Sequence, residues 1–140
     1  MLYLAYGMNT NQAEMARRCP EARCLGPAEL PGYELVFSQH CDVRPNDQCS
    51  VHGLLWELTE QDLANLDILE GWPDYYDRGW VMVHHGDQTV LAITYWMRDS
   101  PQLSEPSMPY LACVMEGYME HDLPVNQVVT AWHASRVLVD

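Results

Sequence analysis

A carboxylate that closes a helix and a glycine turn that closes the first strand are the two places in this chain whose residue types could do chemistry. Glu70 follows the run Leu63 to Leu69 and precedes Gly71. It falls in the last turn of a helix, where the negative end of the dipole disfavours a carboxylate. Asp67 lies three residues earlier on about the same face and adds like-charge repulsion. Burial by Trp72, Tyr75 or Tyr76 would act in the same direction. Each effect raises a carboxyl pKa toward the range where one group both takes and gives a proton. Taken alone, Glu70 reads more readily as a solvated helix end. The turn Tyr6-Gly7-Met8-Asn9 is the second place. Its consecutive N–H groups could form an anion-binding nest, with Gly7 allowing a ligand close to the backbone. By itself it is a strand ending before a helix.

Other chemistries find less support. His40 and Cys41 near Cys49 and His52, and the neighbours His84 and His85, do not match zinc spacings, and HExxH is missing. Adjacent His84 and His85 would face opposite sides of a strand, so no metal is expected. No GxSxG marks a serine nucleophile. A Cys–His pair stays open, because spatial neighbours are invisible in sequence. All seven basic residues are Arg and there is no Lys, which removes Schiff-base chemistry and a P-loop lysine.

These candidates need elements to position them. Leu2 to Tyr6 reads as a buried strand, followed by a short helix capped at Asn9 or Thr10 that runs to about Arg18 before Pro20. Residues 32–38 and 51–58 are strand candidates, and 39–50, polar and without periodicity, reads as a loop. Thr59 with Asp62 makes a capping-box-like start, flanked by Leu58 and Leu63, and Gly71 a C-terminal stop. Leu63, Leu66 and Leu69 form its apolar stripe. Residues 80–85 and 89–97, joined by Gly86-Asp87-Gln88, read as a hairpin. Residues 98–109, with three prolines and three serines, read as a surface crossing. Ser107 caps a helix bearing Tyr110, Leu111, Val114, Met115 and Tyr118, and Pro124 opens another with Val125, Val128, Val129 and Trp132. Strands and helices mix without βαβ alternation, which argues for α+β.

The 140 residues, 48% of them apolar, fit one domain spanning 1–140. The net charge of −13 makes nucleic acid and anionic membranes poor partners. No segment approaches 18 apolar residues, so no membrane span is expected. Five scattered cysteines and an N-terminal stretch without a positive region point to reduced thiols and a cytoplasmic location.

In order, the pieces resemble the γ-glutamylcyclotransferase-like (AIG2-like) family. Its aromatic-x-Ala-Tyr-Gly-Ser-Asn strand is matched by Tyr3-Leu4-Ala5-Tyr6-Gly7-Met8-Asn9. A Gly-x-Ala-x-Leu-x-x-Tyr segment is matched by Gly26 to Leu30 with Tyr33, Leu35 and Phe37. Val51-x-Gly53, Leu58-Thr59, Leu66-Asp67 and Glu70-Gly71 follow, then Tyr76-x-Arg78 and a strand with Tyr95 and Met97. Pro106-Ser107, Tyr110, Gly117 and Leu123-Pro124 complete a pattern covering about residues 2–130.

The resemblance implies a small mixed β-barrel flanked by helices. It implies an enzyme that turns a γ-glutamyl amide into 5-oxoproline and a free amine or amino acid. Glu70 would be the general acid/base. Tyr3, Leu4, Ala5, Tyr6, Gly7, Met8 and Asn9 would hold the glutamyl group through backbone N–H groups, and Tyr95 would hydrogen-bond substrate. No cofactor is implied, the expected partner is the small γ-glutamyl substrate, and homodimers occur in such families. Met8 departs from the family serine and removes a hydroxyl contact. Two rival readings remain: another amide-handling enzyme on this scaffold, and a non-catalytic binder of a metabolite or protein.

Overall fold

Five strands close into a barrel: β1 (Leu2–Ala5), β2 (Arg23–Ser38), β3 (His40–Glu57), β4 (Tyr76–His85) and β5 (Gln88–Met97), in the spatial order β1-β3-β2-β4-β5. Neighbours are antiparallel, except that β1 runs parallel to β5 where the barrel closes. Closure leaves no open sheet edge around the core. Leu4, Val51, Leu54, Leu55 and Val83 are fully buried within it. Among the described residues four helices flank the barrel: α1 (Gln12–Arg18), α2 (Glu60–Glu70), α3 (Met108–Glu120) and α4 (Val125–Arg136). The architecture is the α+β mixed barrel that the resemblance implied. The computed structural model describes residues 1–136; positions 137–140 of the expected domain lie outside the described residues. Among the described residues no helix is long and apolar enough to cross a membrane.

The largest departure from expectation is residues 39–50, read as a loop. They form the first part of β3, which turns back on β2 at Gln39 and pairs from Ser38↔His40 to Arg23↔Glu57. Residues 44–50 lie on an outward ribbon whose partner strand supplies hydrogen bonds whatever the local propensity. The same pairing carries β2 back to Arg23, before the expected start at 32. Two register shifts, at Cys24/Gly26 and Pro31/Tyr33, bend this ribbon. Gly26 and Gly32 occupy them with φ of 102° and 83°, which a side chain would resist. Likewise β4 begins at Tyr76, not Trp80, because its first residues pair with the end of β5.

Helix boundaries follow local chemistry more closely. Thr59 Oγ1 accepts from Asp62 N while Asp62 Oδ2 accepts from Thr59 N, completing the capping box that opens α2. Gly71, at φ 66°, ends the helix in the left-handed conformation. The cap of α1 is Asn11, whose side chain accepts from Glu14 N. Residues Met8–Thr10, where the cap was expected, instead form a separate 3₁₀ turn.

One buried carboxylate ties β3 to β5 where the two strands do not pair. Asp42 Oδ1 accepts from the N–H groups of Val43 at 2.9 Å and Met97 at 2.8 Å, and Oδ2 accepts from Arg44 Nε at 3.2 Å. Burial pushes the Asp42 carboxyl up, and the donors from Met97, Arg44 and Val43 oppose it. Replacing it with an apolar residue orphans a buried backbone N–H. Asp42→Ala is expected to cost about 2–4 kcal/mol, and Asp42→Asn less, measured by urea unfolding at neutral pH.

Candidate active site

β1 delivers the chain to Gly7, where it passes so close to β3 that a Cβ would lie 2.9 Å from Cys41 Cβ and 3.3 Å from the Tyr110 hydroxyl oxygen. Only glycine fits there. The following turn is held from several sides. Thr10 Oγ1 donates to the Gly7 carbonyl at 2.7 Å, Tyr118 Oη to the Tyr6 carbonyl at 2.6 Å, and Trp56 Nε1 to the Asn9 carbonyl at 3.1 Å. α3 packs against Thr10 and Asn11 through Gly117, where any Cβ would collide with the Thr10 side chain. The first bond of the 3₁₀ turn is Thr10 N to Gly7 O, so the N–H groups of Met8 and Asn9 have no partner within it.

This turn and the end of α2 open onto one cavity of about 380 Å³. Tyr3, Tyr6, Gly7, Met8 and Asn9 line it from the first segment, Glu70 from α2 and Tyr95 from β5. Leu4 and Ala5 are not among its lining residues. Leu4 is fully buried in the core and gives its carbonyl to Thr94 Oγ1 at 3.0 Å. Ala5 is buried against its strand partner Leu54. Strand pairing uses up these two positions, so the seven-residue cradle reduces to five residues at the cavity wall.

The Glu70 carboxyl is raised to about 7, chiefly because the surrounding protein strips it of water; Arg18 pulls it back down. The cause differs in part from the sequence argument. Asp67 does not repel Glu70, because it is neutralised elsewhere: Arg78 Nη1 donates to its Oδ2 at 2.6 Å and Tyr95 Oη to its Oδ1 at 2.7 Å. Of the three aromatic residues after the helix, Tyr76 lines the cavity. Trp72, 39% exposed, instead lies under the Arg78 guanidinium at 4.0 Å, and Tyr75 is 75% exposed. Leu69 is also no core residue; it is 47% exposed and lines the cavity beside Glu70.

Sequence reasoning missed Arg18. Its Nη1 donates to Asn9 Oδ1 at 2.6 Å and its Nη2 contacts Met8 Sδ at 3.1 Å, which places a fixed positive charge at the cavity wall. The available signal was a second arginine in the last turn of the helix that follows the glycine turn. His40, Cys41 and Tyr110 also reach the wall, through the part of β3 read as a loop and through α3. Burial pushes the Cys41 thiol up to about 12, so it stays protonated and is a poor nucleophile beside His40. Among the described residues no three His, Cys, Asp or Glu side chains cluster as metal ligands would.

A family model described as "Gamma-glutamyl cyclotransferase, AIG2-like" matches residues 3–112, and the chain belongs to that family. The Drosophila melanogaster protein "Putative gamma-glutamylcyclotransferase CG2811" is 36% identical over 59 residues, a match spanning 41% of this chain and 38% of that protein. Among solved structures, one titled "Gamma-glutamyl cyclotransferase" superposes with a TM-score of 0.84 at 23% identity, covering 94% of this chain and 85% of its own. An uncharacterised Homo sapiens protein reaches 0.82 at 24% identity, covering 93% and 85%. These two share the fold.

The raised carboxyl has a consequence for stability. Because its pKa in the folded state, about 7, exceeds the ordinary 4.5, the folded protein binds this proton more tightly than the unfolded chain does. The contribution is present in full below about 4.5 and is lost as pH rises through 7. Glu70→Gln, which carries no charge to desolvate, is therefore expected to be more stable than wild type at pH 8 by about 1–3 kcal/mol. The two should converge near pH 4 in urea titrations.

Proposed function

We propose that this protein is a γ-glutamylcyclotransferase that converts a γ-glutamyl amino acid or γ-glutamylamine into 5-oxoproline and the free amine. The observation that carries the reading is the shared cavity: a desolvated carboxyl able to exchange protons near neutrality lies on the same wall system as a turn with unpaired backbone donors.

The chemistry suits so sparse a site. The substrate brings its own nucleophile, and closing a five-membered ring makes attack intramolecular. Glu70, ionised, removes a proton from the α-ammonium. The freed amine attacks the γ-carbonyl carbon, a C–N bond forms, and the carbonyl oxygen gains negative charge. N–H groups of the turn stabilise that oxygen. Glu70 then delivers its proton to the departing nitrogen as the amide C–N bond breaks. A second proton follows the same route from the ring nitrogen, so two protons leave the α-nitrogen and two arrive on the leaving amine. The balance needs no oxidant, metal or prosthetic group. With Met8 in the family's serine position, no hydroxyl is available there, and the donors are backbone N–H groups, which a side-chain change does not remove. Five free cysteines suit a reducing, cytoplasm-like compartment.

The test is product chemistry. Purified protein given a panel of γ-glutamyl amides is expected to release 5-oxoproline, and Glu70→Gln to lose at least about a hundredfold in kcat while remaining folded. Normal turnover by Glu70→Gln would remove Glu70 from the mechanism, and wild-type silence across the panel would favour a binding role. The base must be ionised to start the reaction. kcat/KM should therefore fall on the acid side of about pH 7, approaching tenfold per unit, and a flat profile from pH 5 to 8 would contradict the assignment.

A further inference from the structure

Tyr3 on β1 and Tyr95 on β5 meet edge to face in the cavity, their ring centroids 6.0 Å apart. Their hydroxyl groups are chemically alike, but their surroundings give them opposite hydrogen-bonding roles. The difference originates at two arginines.

On the Tyr3 side, Arg18 Nη1 donates to Asn9 Oδ1 at 2.6 Å. A guanidinium can only donate, so the amide must turn its oxygen toward Arg18. The amide nitrogen is then left to donate to Tyr3 Oη, at 3.0 Å. Among the described residues no acceptor takes the Tyr3 hydroxyl proton, which is therefore free for the cavity. On the Tyr95 side, Arg78 Nη1 donates to Asp67 Oδ2 at 2.6 Å. An ion-paired carboxylate offers only lone pairs, so the Tyr95 proton goes to Asp67 Oδ1, at 2.7 Å. Arg78 also donates toward the Tyr95 hydroxyl oxygen, which leaves Tyr95 one lone pair, and no proton, for the cavity. Tyr6 agrees with it, because its own proton goes to the Tyr95 carbonyl at 2.5 Å.

We infer that the cavity has a fixed polarity, donating at Tyr3 and accepting at Tyr95, and that Asn9 and Asp67 are positioning residues that set it through the arginines behind them. Resting on the cyclotransferase reading, this orients the glutamyl end of the substrate. The α-ammonium lies against Tyr95, and the α-carboxylate lies against Tyr3 with the Arg18 charge beside it. A ligand lacking the amine wastes the accepting side, and one lacking the carboxylate wastes the donating side.

Three small ligands separate the sides: L-glutamine, which has both groups; 5-amino-5-oxopentanoate, which lacks the amine; and 4-aminobutanamide, which lacks the carboxylate. Binding is measured by NMR titration. In Asp67→Asn, Arg78 still claims the oxygen, and the new amide nitrogen donates to Tyr95 Oη and forces the tyrosine proton into the cavity. Affinity for L-glutamine and 4-aminobutanamide is expected to fall about tenfold or more, with 5-amino-5-oxopentanoate changed by less than about twofold. In a Tyr95→Phe background the same substitution should have no further effect. Should Asp67→Asn fail to fold, the two tyrosines carry the test: Tyr95→Phe should weaken the amine-bearing pair selectively and Tyr3→Phe the carboxylate-bearing pair. Uniform weakening of all three ligands, additive effects of Asp67→Asn and Tyr95→Phe, or a wild type that does not prefer L-glutamine to both truncated ligands would overturn the inference. Every arm reads binding, so absence of 5-oxoproline release refutes cyclotransfer alone, and a wrong ligand ranking refutes the polarity alone.

Discussion

Three donors from separate parts of the chain converge on the carbonyl groups of one turn: Tyr118 on Tyr6, Thr10 on Gly7 and Trp56 on Asn9. A trans peptide sets each carbonyl and the next N–H on opposite sides of the backbone. Anchoring the Tyr6 carbonyl to α3 therefore aims the Gly7 N–H away from α3, and anchoring the Gly7 carbonyl into the turn fixes the direction of the Met8 N–H. Gly117 lets α3 come close enough to do this, and Gly7 lets the turn come close enough to β3. The barrel and the C-terminal helices together hold a four-residue turn in place, so that in the proposed reaction its donors would need no reorganisation as charge develops.

The carboxylate facing this turn has the opposite relation to stability. Nothing among the described residues hydrogen-bonds the Glu70 carboxyl, and the same burial that brings it to about 7 makes its ionised form costly. Asp67, one turn earlier on the helix, is satisfied by Arg78 and Tyr95. The two acids thus sit in different environments, one paired with an arginine and a tyrosine and one desolvated beside the turn.

Some of this was legible in the chain itself. The Thr59–Asp62 capping box and the Gly71 stop placed Glu70 at a helix end, because both signals act through neighbours in sequence. The turn at Gly7 was visible for the same reason. Residues 39–50 were not, since their strand conformation comes from pairing with 31–38 across a ribbon and their own polar composition argues for a loop. His40 and Cys41 reach the cavity only through that pairing. The neutralisation of Asp67 was equally hidden: Arg78 is eleven residues away, and in sequence nothing distinguishes a paired aspartate from a free one. Leu4 and Ala5 lie off the cavity wall; a motif records which residues recur, without separating those that face a cavity from those that hold the strand.

The chain contains seven arginines and no lysine, and two of the seven stand directly behind the cavity. Arginine suits that place for a reason beyond charge. Its planar donors keep fixed directions. Asn9 and Asp67 are therefore each held in one orientation. In the proposed reaction this arrangement would leave the hydrogen-bond directions around Glu70 unchanged from one half of the cycle to the other.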